Sequence, residues 1–260
     1  MTYNIHRWAG QDQRLDLDRL VEVVLAANAD VVCLNEVLHP VLIGPRVREP
    51  LAELARRLHM TYLFGPSGWQ DHGPGWYGPL GNALLSRYPL SNALNMPLPR
   101  LPGTKPRSLL GATLADGPAR GLGAFVTHLD HMFEGTRLWQ LRGVLRRLAH
   151  YGPHFLGGDF NTPGFLGEHS RRLLPPVLRM LHRAGYEDAF RAVGRGHGRT
   201  FPSPAPVVRI DFLFMPKYWA RGLQQAWTPD WEVAQFASDH RPVLAEWHWP
   251  EKPATTARLG

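Results

Sequence analysis

Residues 154–163 read His-Phe-Leu-Gly-Gly-Asp-Phe-Asn-Thr-Pro, and the interpretation of the whole chain starts from this stretch. A short apolar run ends in two glycines, after which Asp159 and Asn161 stand two residues apart. On an extended backbone, two such residues project to the same side. The pattern predicts a buried strand whose carboxyl end presents a carboxylate for a metal-bound or water-activating oxygen and an amide donor for a substrate oxygen. An Asx turn after the strand is the alternative interpretation.

The overall composition is that of an ordinary globular protein, with 44% hydrophobic and 20% charged residues in a chain of 260. No apolar run approaches the ~18 residues that span a bilayer. The N-terminus lacks the basic start and apolar core of a signal peptide. We therefore expect a cytoplasmic protein without a transmembrane segment. The first strand begins almost at Met1, and we expect its upstream edge to be clipped.

The net charge indicates the class of binding partner, and the single cysteine indicates the state of its thiol. A formal charge of +7 favours an anionic partner such as phosphate, nucleic acid or a lipid headgroup. Cys33 has no second cysteine to pair with, and it lies in an apolar run, so we expect a buried thiol.

Hydrophobic periodicity predicts helices and strands that alternate in the first half of the chain. One helical stripe is formed by Leu17, Leu20, Val21, Val24 and Leu25. Pro50 is well placed to begin a second helix. Residues 108–114 and 121–128 flank Asp116-Gly117 and predict a hairpin, whereas residues 65–81, rich in Gly, Pro and aromatic residues, predict a long surface loop.

The order of these elements predicts the fold class. Strands alternate with helices at first and become meander-like later, which indicates an α/β protein with mixed sheets rather than a parallel barrel. We expect one domain over residues 1–250 and a flexible tail over residues 251–260.

Polar side chains capable of chemistry recur where the predicted strands end. They are Asn4, Glu36, His128, Asp159 with Asn161, and Asp239 with His240, and Asp211 adds a carboxylate within a further strand. Such strand ends are typical of an α/β active site at one edge of the sheets. Three acids with amides fit a hard cation such as Mg²⁺ or Mn²⁺, whereas no His-x-x-x-His pair supports zinc. Two histidines near carboxylates suit acid–base work or hydrogen bonding to an anionic transition state.

Each of these residues alone also has a structural interpretation. Taken alone, Glu36 fits a surface acid after a strand better than a ligand, and His128 fits a hydrogen-bonded structural histidine better than a catalytic one. Asn4 and Asn82 also fit turn residues. Asp211 has Arg209 two residues before it as an alternative ion-pair partner. Their joint occurrence at strand ends favours the functional interpretation.

Seven segments, in order along nearly the whole chain, resemble the endonuclease/exonuclease/phosphatase superfamily. This superfamily includes deoxyribonuclease-like enzymes, apurinic endonucleases, neutral sphingomyelinases and inositol-polyphosphate phosphatases. The segments are residues 2–6 (Thr-Tyr-Asn-Ile-His), 31–37 (Val-Val-Cys-Leu-Asn-Glu-Val), 81–89 (Gly-Asn-Ala-Leu-Leu-Ser-Arg-Tyr-Pro), 127–129 (Thr-His-Leu), 158–161 (Gly-Asp-Phe-Asn), 209–214 (Arg-Ile-Asp-Phe-Leu-Phe) and 238–242 (Ser-Asp-His-Arg-Pro). Residue 35 is Asn where Gln is more usual, and we expect this shorter amide to keep the same role.

The resemblance implies a four-layer α/β sandwich, in which two mixed sheets pack face to face with helices outside. It also implies a Mg²⁺-dependent attack of water on a phosphoester, with Mn²⁺ as a substitute. Glu36 would be the principal metal ligand, with Asn4 and Asp239 on the metal side. Asp159 would orient or deprotonate the attacking water, and Asn161 and His128 would hold phosphate oxygens. His240, oriented by Asp211, would donate a hydrogen bond to the scissile phosphate.

The identity of the substrate depends on loops rather than on the shared core. Residues 127–131, Arg107 and Arg199 resemble a bacterial group nearer the lipid- or sugar-phosphate enzymes than the nucleases. Asn82, Arg107 and Arg199 are the candidate substrate contacts, although both arginines read equally as loop-surface charges.

Three aromatic residues near the predicted site bear on the partner. Trp69, Trp76 and Tyr77 either touch a lipid surface, stack on a nucleic-acid base or anchor the predicted loop. The leading prediction is a hydrolase of a small-molecule or lipid-linked phosphoester, either a phosphodiesterase or a phosphatase. The alternatives are a nuclease acting on DNA or RNA and a phosphoester-binding module without catalysis.

Overall fold

The computed structural model describes residues 1–71, 76–164 and 174–248. The strands in these ranges are β1 (Thr2–Asn4), β2 (Val31–Leu38), β3 (Val41–Ile43), β4 (Arg46–Arg48), β5 (Thr61–Asp71), β6 (Trp76–Ser86), β7 (Leu90–Pro97), β8 (Ser108–Leu114), β9 (Gly123–His128), β10 (His154–Gly164), β11 (Tyr186–Asp188), β12 (Gly194–Arg195), β13 (Arg209–Pro216), β14 (Leu223–Trp227) and β15 (Leu244–Trp247). The α-helices are α1 (Leu17–Ala27), α2 (Pro50–Leu58), α3 (Glu134–Leu148), α4 (Pro176–Arg183), α5 (Ala189–Val193), α6 (Lys217–Ala220) and α7 (Glu232–Phe236). A 3-10 helix spans His6–Trp8.

The strands form two large mixed sheets and one small sheet. In sheet 1 the strand order is β1-β2-β6-β3-β4, and β5 also pairs with β6. In sheet 2 the order is β11-β13-β10-β9-β8-β7, and a small sheet holds β12-β14-β15. The pairs β1–β2 and β9–β10 are parallel, and the other pairs within the two large sheets are antiparallel. This confirms the prediction of mixed sheets.

The two large sheets pack face to face through an apolar layer. Val31, Cys33 and Leu84 of sheet 1 pack in one cluster with Leu110 and Val126 of sheet 2. The outer face of sheet 1 is covered by α1, α2 and α7, and the outer face of sheet 2 by α3 and α4. The four-layer α/β sandwich is therefore confirmed, and Cys33 is the buried thiol that we expected.

Several predicted elements are confirmed closely. Helix α1 buries Leu20, Val21 and Val24 of the predicted stripe, although Leu25 is 57% exposed. Helix α2 begins at Pro50, and β8 and β9 form the predicted antiparallel hairpin. Among the described residues no helix is long and apolar enough to cross a membrane. Residues 251–260, the predicted tail, lie outside the described ranges.

The prediction of a long surface loop over residues 65–81 is wrong. Strands β5 and β6 pair through much of this segment, with Gly65 opposite Asn82 and Gly68 opposite Leu80. A side chain at Gly81 would place its Cβ 2.0 Å from the carbonyl oxygen of Gly65. The glycines therefore mark a close approach of two strands rather than a turn. Trp69 is 70% exposed and Tyr77 is 43% exposed on this pair, and the side chain of Trp76 lies outside the described part.

Candidate active site

Three neighbouring strands of sheet 2 place His128, Asp159 and Asp211 side by side. Asp159 is directly opposite His128 in the parallel pair β9–β10, and opposite Asp211 in the antiparallel pair β10–β13. Residues directly opposite on paired strands share a face of the sheet. The preceding Gly158 has a φ of 144°, and a Cβ there would lie 1.8 Å from the Thr127 carbonyl oxygen. Only glycine fits this step, so the sequence motif directly determines how Asp159 is presented.

The carboxylate of Asp159, which belongs to sheet 2, is in contact with sheet 1. Its Oδ2 accepts a hydrogen bond from Asn4 Nδ2 at 3.1 Å, and Asn4 belongs to sheet 1. The same oxygen lies 3.4 Å from His128 Nε2 and 3.8 Å from His240 Nε2. Asp159 is only 2% exposed. Residues from β1, β9, β10 and the 238–242 loop thus converge on one buried carboxylate.

Asn161 reaches this cluster through a turn rather than through an extended backbone. Its φ is 48°, and the β10–β13 register shifts after Asp159, so the backbone is not extended here. The Asn161 backbone N–H instead donates to Asp159 Oδ1 at 2.8 Å, which is the Asx turn that we considered as the alternative. The Asn161 amide nitrogen still lies 3.0 Å from His128 Nε2. The expectation of an extended strand is wrong at this residue, but both side chains meet the same histidine.

His240 and Asp211 form a buried pair beside Asp159. His240 Nδ1 lies 2.8 Å from Asp211 Oδ2, and both groups are at most 6% exposed. Burial opposes the charge on His240, but Asp211, its hydrogen bond and the nearby Asp159 outweigh this and raise the pKa of His240 to about 10. The imidazole is therefore protonated at neutral pH. Asp211 does not pair with Arg209, which instead lies 2.7 Å from Asp188.

The surroundings of Asp159 raise the pKa of its carboxyl group. Burial raises the pKa of Asp159, the neighbouring Asp211 raises it further, and His240 opposes both effects. A carboxyl group whose pKa rises toward neutral pH is better matched to accepting a proton from water than an ordinary exposed aspartate.

Glu36 occupies a strained position on the sheet 1 side. It has a φ of 54°, at the point where the β2–β6 register shifts, which is a common setting for functional residues. Its Oε2 lies 3.7 Å from Arg7 Nε. Burial opposes ionisation of Glu36, but Arg107, Arg7 and nearby histidines outweigh it and lower the pKa of this carboxyl.

Glu36 and Asp239 each carry a carboxylate of the kind that binds a hard cation. Within the described ranges the Glu36 carboxylate accepts no hydrogen bond, although it can only accept. Asp239 is one-third exposed, and its Oδ1 lies 4.0 Å from His240 Nε2 and 3.8 Å from His6 Nδ1. Mg²⁺ and Ca²⁺ bind carboxylate oxygens, and an oxygen that accepts few hydrogen bonds from the protein keeps its lone pairs for the ion.

A second group of ligand-type atoms overlaps the Asp159 cluster. One side-chain atom from each of Asp159, Asp211 and His240 lies within 4.8 Å of the others. His240 Nδ1 and Asp211 Oδ2 are already hydrogen-bonded to each other, so a cation bound there would compete for these two atoms or use the remaining ones. Among the described residues, the acidic and histidine groups available to a metal ion are thus this compact group and, apart from it, the Glu36 carboxylate.

Asn35 joins the two sheets behind the site, a role that the sequence did not predict for this residue by itself. Its Oδ1 accepts from the Asp159 backbone N–H at 2.9 Å, and its Nδ2 donates to Asn82 Oδ1 at 2.8 Å and to the Thr127 carbonyl at 3.0 Å. It is fully buried. The sequence signals were its position next to Glu36 in a buried strand and its place in segment 31–37, where the resemblance gives it the role of the more usual Gln.

The candidate substrate contacts separate into two groups. Arg107 and Asn82 line a small pocket of about 10 Å³, roughly one water molecule, together with Glu36, Ser67, Leu80, Gly81, Ser108 and His128. The Asn82 amide also bonds to Asn35 and donates to the Ser108 carbonyl, so it supports the site from behind. Arg199 is exposed, and in the described part of the chain its side chain makes no hydrogen bond or ion pair. The structure does not bring Arg199 into the cluster.

Comparisons with known proteins agree with this fold. The sequence model of the protein family described as the endonuclease/exonuclease/phosphatase family matches residues 1–240 of this chain. YbhP of Escherichia coli K12, described as uncharacterized, is 28% identical over 259 residues, and the alignment covers 95% of each chain.

Solved structures extend the comparison. The endonuclease/exonuclease/phosphatase of Beutenbergia cavernae superimposes with a TM-score of 0.71 at 25% identity, covering 94% of this chain and 69% of that one. The 3′ phosphatase NExo from Neisseria, bound to a product DNA hairpin, has a TM-score of 0.66 at 20% identity, covering 95% and 98%. At that identity the likeness to NExo concerns the fold alone.

Proposed function

The chain belongs to the endonuclease/exonuclease/phosphatase family, and on that premise we propose that it is a Mg²⁺-dependent hydrolase of phosphoesters. Members of this family are hydrolytic phosphoesterases, among them nucleases and phosphatases. The observation that carries the proposal is the buried Asp159 carboxylate, which has Asn4 at 3.1 Å, His128 at 3.4 Å and His240 at 3.8 Å. Such a cluster of acid, amide and imidazole groups positions a water molecule and neutralises charge on a phosphoryl group.

Glu36 would hold the cation, with Asp239 and Asn4 on the same side. The support is the nearly buried Glu36 carboxylate, which accepts no hydrogen bond from the described residues and stays ionised. Mg²⁺, or Mn²⁺ in its place, would supply charge neutralisation for the phosphoryl oxygens when bound. We prefer this arrangement to the Asp159–Asp211–His240 group, because His240 Nδ1 and Asp211 Oδ2 of that group are already hydrogen-bonded to each other.

Asp159 would orient the attacking water and take its proton. Asn4 holds one carboxylate oxygen and the Asn161 backbone N–H holds the other, so the group is fixed in place. Burial brings its pKa toward the range in which a carboxylate accepts a proton at neutral pH.

The remaining polar groups would bind the phosphoryl oxygens. His240, kept protonated by Asp211, would donate to the scissile phosphate and stabilise the charge that builds up on it. His128 and Asn161 lie next to each other beside Asp159 and would hold a further phosphoryl oxygen. Arg107 adds positive charge next to His128.

For the substrate, we propose a small-molecule or lipid-linked phosphoester, cleaved by a phosphodiesterase or phosphatase reaction. The exposed Trp69 and Tyr77 on the β5–β6 pair offer an apolar surface for peripheral lipid contact. A nuclease is the second candidate, supported by the charge of +7. A binding module without catalysis is the candidate from another class, and the complete set of acids and histidines at the site argues against it.

A substrate panel tests the proposal. Purified protein would be stripped of metal and assayed with Mg²⁺ and with Mn²⁺ on bis(p-nitrophenyl) phosphate, sugar phosphates, inositol phosphates, phospholipid vesicles and oligonucleotides. We expect metal-dependent hydrolysis of the activated diester, with greater kcat/KM for small or lipid-linked substrates than for oligonucleotides. The reverse preference would favour the nuclease. Metal binding without hydrolysis of any of these would leave only the binding module.

A further inference from the structure

Arg107 contacts the ring nitrogen of His128 that is not directed at Asp159. Arg107 Nη1 lies 2.8 Å from His128 Nδ1. Both residues are buried, with exposures of 6% and 4%. A guanidinium group has only donors. His128 Nδ1 must therefore accept this hydrogen bond, and it carries no proton.

This single contact determines where the remaining ring proton lies. A neutral imidazole has one proton, so in His128 that proton is on Nε2, which faces Asp159. A doubly protonated ring is disfavoured, because Nδ1–H would point at the guanidinium. Burial, and then the positive charge of Arg107, also lower the pKa of His128 well below the ordinary value.

The orientation of the Asn161 amide is fixed independently. Asn161 Nδ2 donates to the Leu129 carbonyl at 3.0 Å, and a carbonyl only accepts. The same Nδ2 lies 3.0 Å from His128 Nε2, so two nitrogen atoms that both carry protons stand next to each other. Asp159 Oδ2, at 3.4 Å from His128 Nε2, is too far for a good hydrogen bond. A substrate oxygen with free lone pairs, within hydrogen-bond distance of both nitrogens, would accept from both.

We propose that Arg107 is a positioning residue that holds His128 as the neutral Nε2–H tautomer, so that His128 and Asn161 form a donor pair for a phosphoryl oxygen. The identity of the bound oxygen rests on the proposed function, whereas the tautomer does not. In this state His128 has no free lone pair with which to take a proton from water. The two histidines beside Asp159 are therefore set oppositely, because His240 Nδ1 faces the carboxylate of Asp211 and His128 Nδ1 faces a cation.

Nuclear magnetic resonance of protein labelled with ¹⁵N-histidine tests the tautomer directly. Long-range ¹H–¹⁵N correlations at neutral pH, without metal and with Mg²⁺, distinguish Nδ1–H, Nε2–H and doubly protonated rings. The His128 signals would be identified by their loss in His128→Asn. We expect the Nε2–H pattern in the wild-type protein. An Nδ1–H or doubly protonated His128 would overturn the proposal, whatever the outcome of the substrate panel.

The variant Arg107→Gln tests whether Arg107 is the cause. The glutamine amide can accept a hydrogen bond as well as donate one, so we expect part of the His128 population to change to the Nδ1–H tautomer. Turnover of bis(p-nitrophenyl) phosphate should fall about tenfold to hundredfold, as is typical when the partner of a functional histidine is removed. Arg120→Gln, an exposed arginine beyond the Asp116-Gly117 turn, is the matched control and should change neither. A folded Arg107→Gln protein with an unchanged His128 tautomer would show that Arg107 does not set it.

Discussion

The regular part of strand β10, residues 154–159 before its register shift, buries polar side chains at both ends, and they find hydrogen-bond partners in different ways. At the start, His154 is 3% exposed, and its ring nitrogens bond to the Gly152 carbonyl at 2.8 Å and to the Tyr186 hydroxyl at 2.7 Å. At the end, Asp159 meets an amide and two histidines from three other segments. The partners of His154 are neutral, whereas two carboxylates and two imidazoles crowd the other end.

The contrast is clearest between His154 and His240, which are both nearly fully buried. Burial lowers the pKa of His154, since only one backbone hydrogen bond opposes it. The pKa of His240 is raised to about 10, because Asp211, Asp159 and Asp239 outweigh the same burial. Burial alone therefore builds a neutral structural histidine, and only nearby carboxylates convert it into a cation. Variants at the two ends should therefore differ: those near Asp159 should alter turnover, and those near His154 should alter only stability.

Asp159→Asn should give the largest effect. It keeps the size of the side chain but removes the group that takes the proton of water, so kcat should fall by about 10²–10⁴ with the melting temperature little changed. Initial rates on an activated phosphodiester and a thermal melt would measure both. Asp116→Asn, in the exposed hairpin turn, is the control. Near wild-type turnover in Asp159→Asn would show that the role is wrongly assigned.

Glu36→Gln should act on the metal rather than on the water. Loss of an anionic oxygen ligand should raise the Kd for Mg²⁺ at least about tenfold, and high Mg²⁺ should restore part of the activity. Calorimetric titration of metal-free protein would measure the Kd. Glu22→Gln, on the exposed face of α1, should bind Mg²⁺ as the wild-type protein does. An unchanged Kd in Glu36→Gln would remove Glu36 from the metal site.

Asp211→Asn distinguishes the two arrangements of metal ligands. If Asp211 orients His240 and keeps it protonated, kcat should fall about tenfold to hundredfold in this variant. The Kd for Mg²⁺ should stay nearly constant. The same titration and rate measurements apply. A loss of Mg²⁺ affinity as large as that of Glu36→Gln would move the cation to the group formed by Asp159, Asp211 and His240.

Tyr186→Phe should have the smallest functional effect, because it acts at the other end of β10. It removes the hydroxyl that bonds to His154 and leaves a buried ring nitrogen without a partner. The free energy of unfolding should fall by about 1–3 kcal/mol, as measured by denaturant titration. The kcat of the folded protein should be unchanged. A clear loss of kcat would mean that the two ends of the strand are coupled.

The fold was predictable because its signals are local and redundant. Helices α1 and α2 follow from apolar spacing and from Pro50, and the β8–β9 hairpin follows from its turn. The β5–β6 pair was missed because its glycines serve a contact between strands, as at Gly65 and Gly81, and composition alone does not distinguish this from a loop.

The site was predictable in its members but not in its contacts. Asn4, His128, Asp159, Asn161, Asp211 and His240 are brought into one cluster. The positive φ values of Glu36 and Asn161 depend on strand register, which is a property of the whole sheet. The cross-sheet hydrogen bonds of Asn35 and the Arg107–His128 contact likewise join residues far apart in sequence, so no local sequence pattern predicts them.

Hydrolysis of bis(p-nitrophenyl) phosphate in ¹⁸O-labelled water with Mg²⁺ tests the central claim most directly. If Asp159 activates water for attack on phosphorus, mass spectrometry should find the label in p-nitrophenyl phosphate and none in p-nitrophenol. The rate of incorporation should collapse in Asp159→Asn and persist in Tyr186→Phe. Label in the p-nitrophenol, or no metal-dependent turnover by the wild-type protein, would contradict the account.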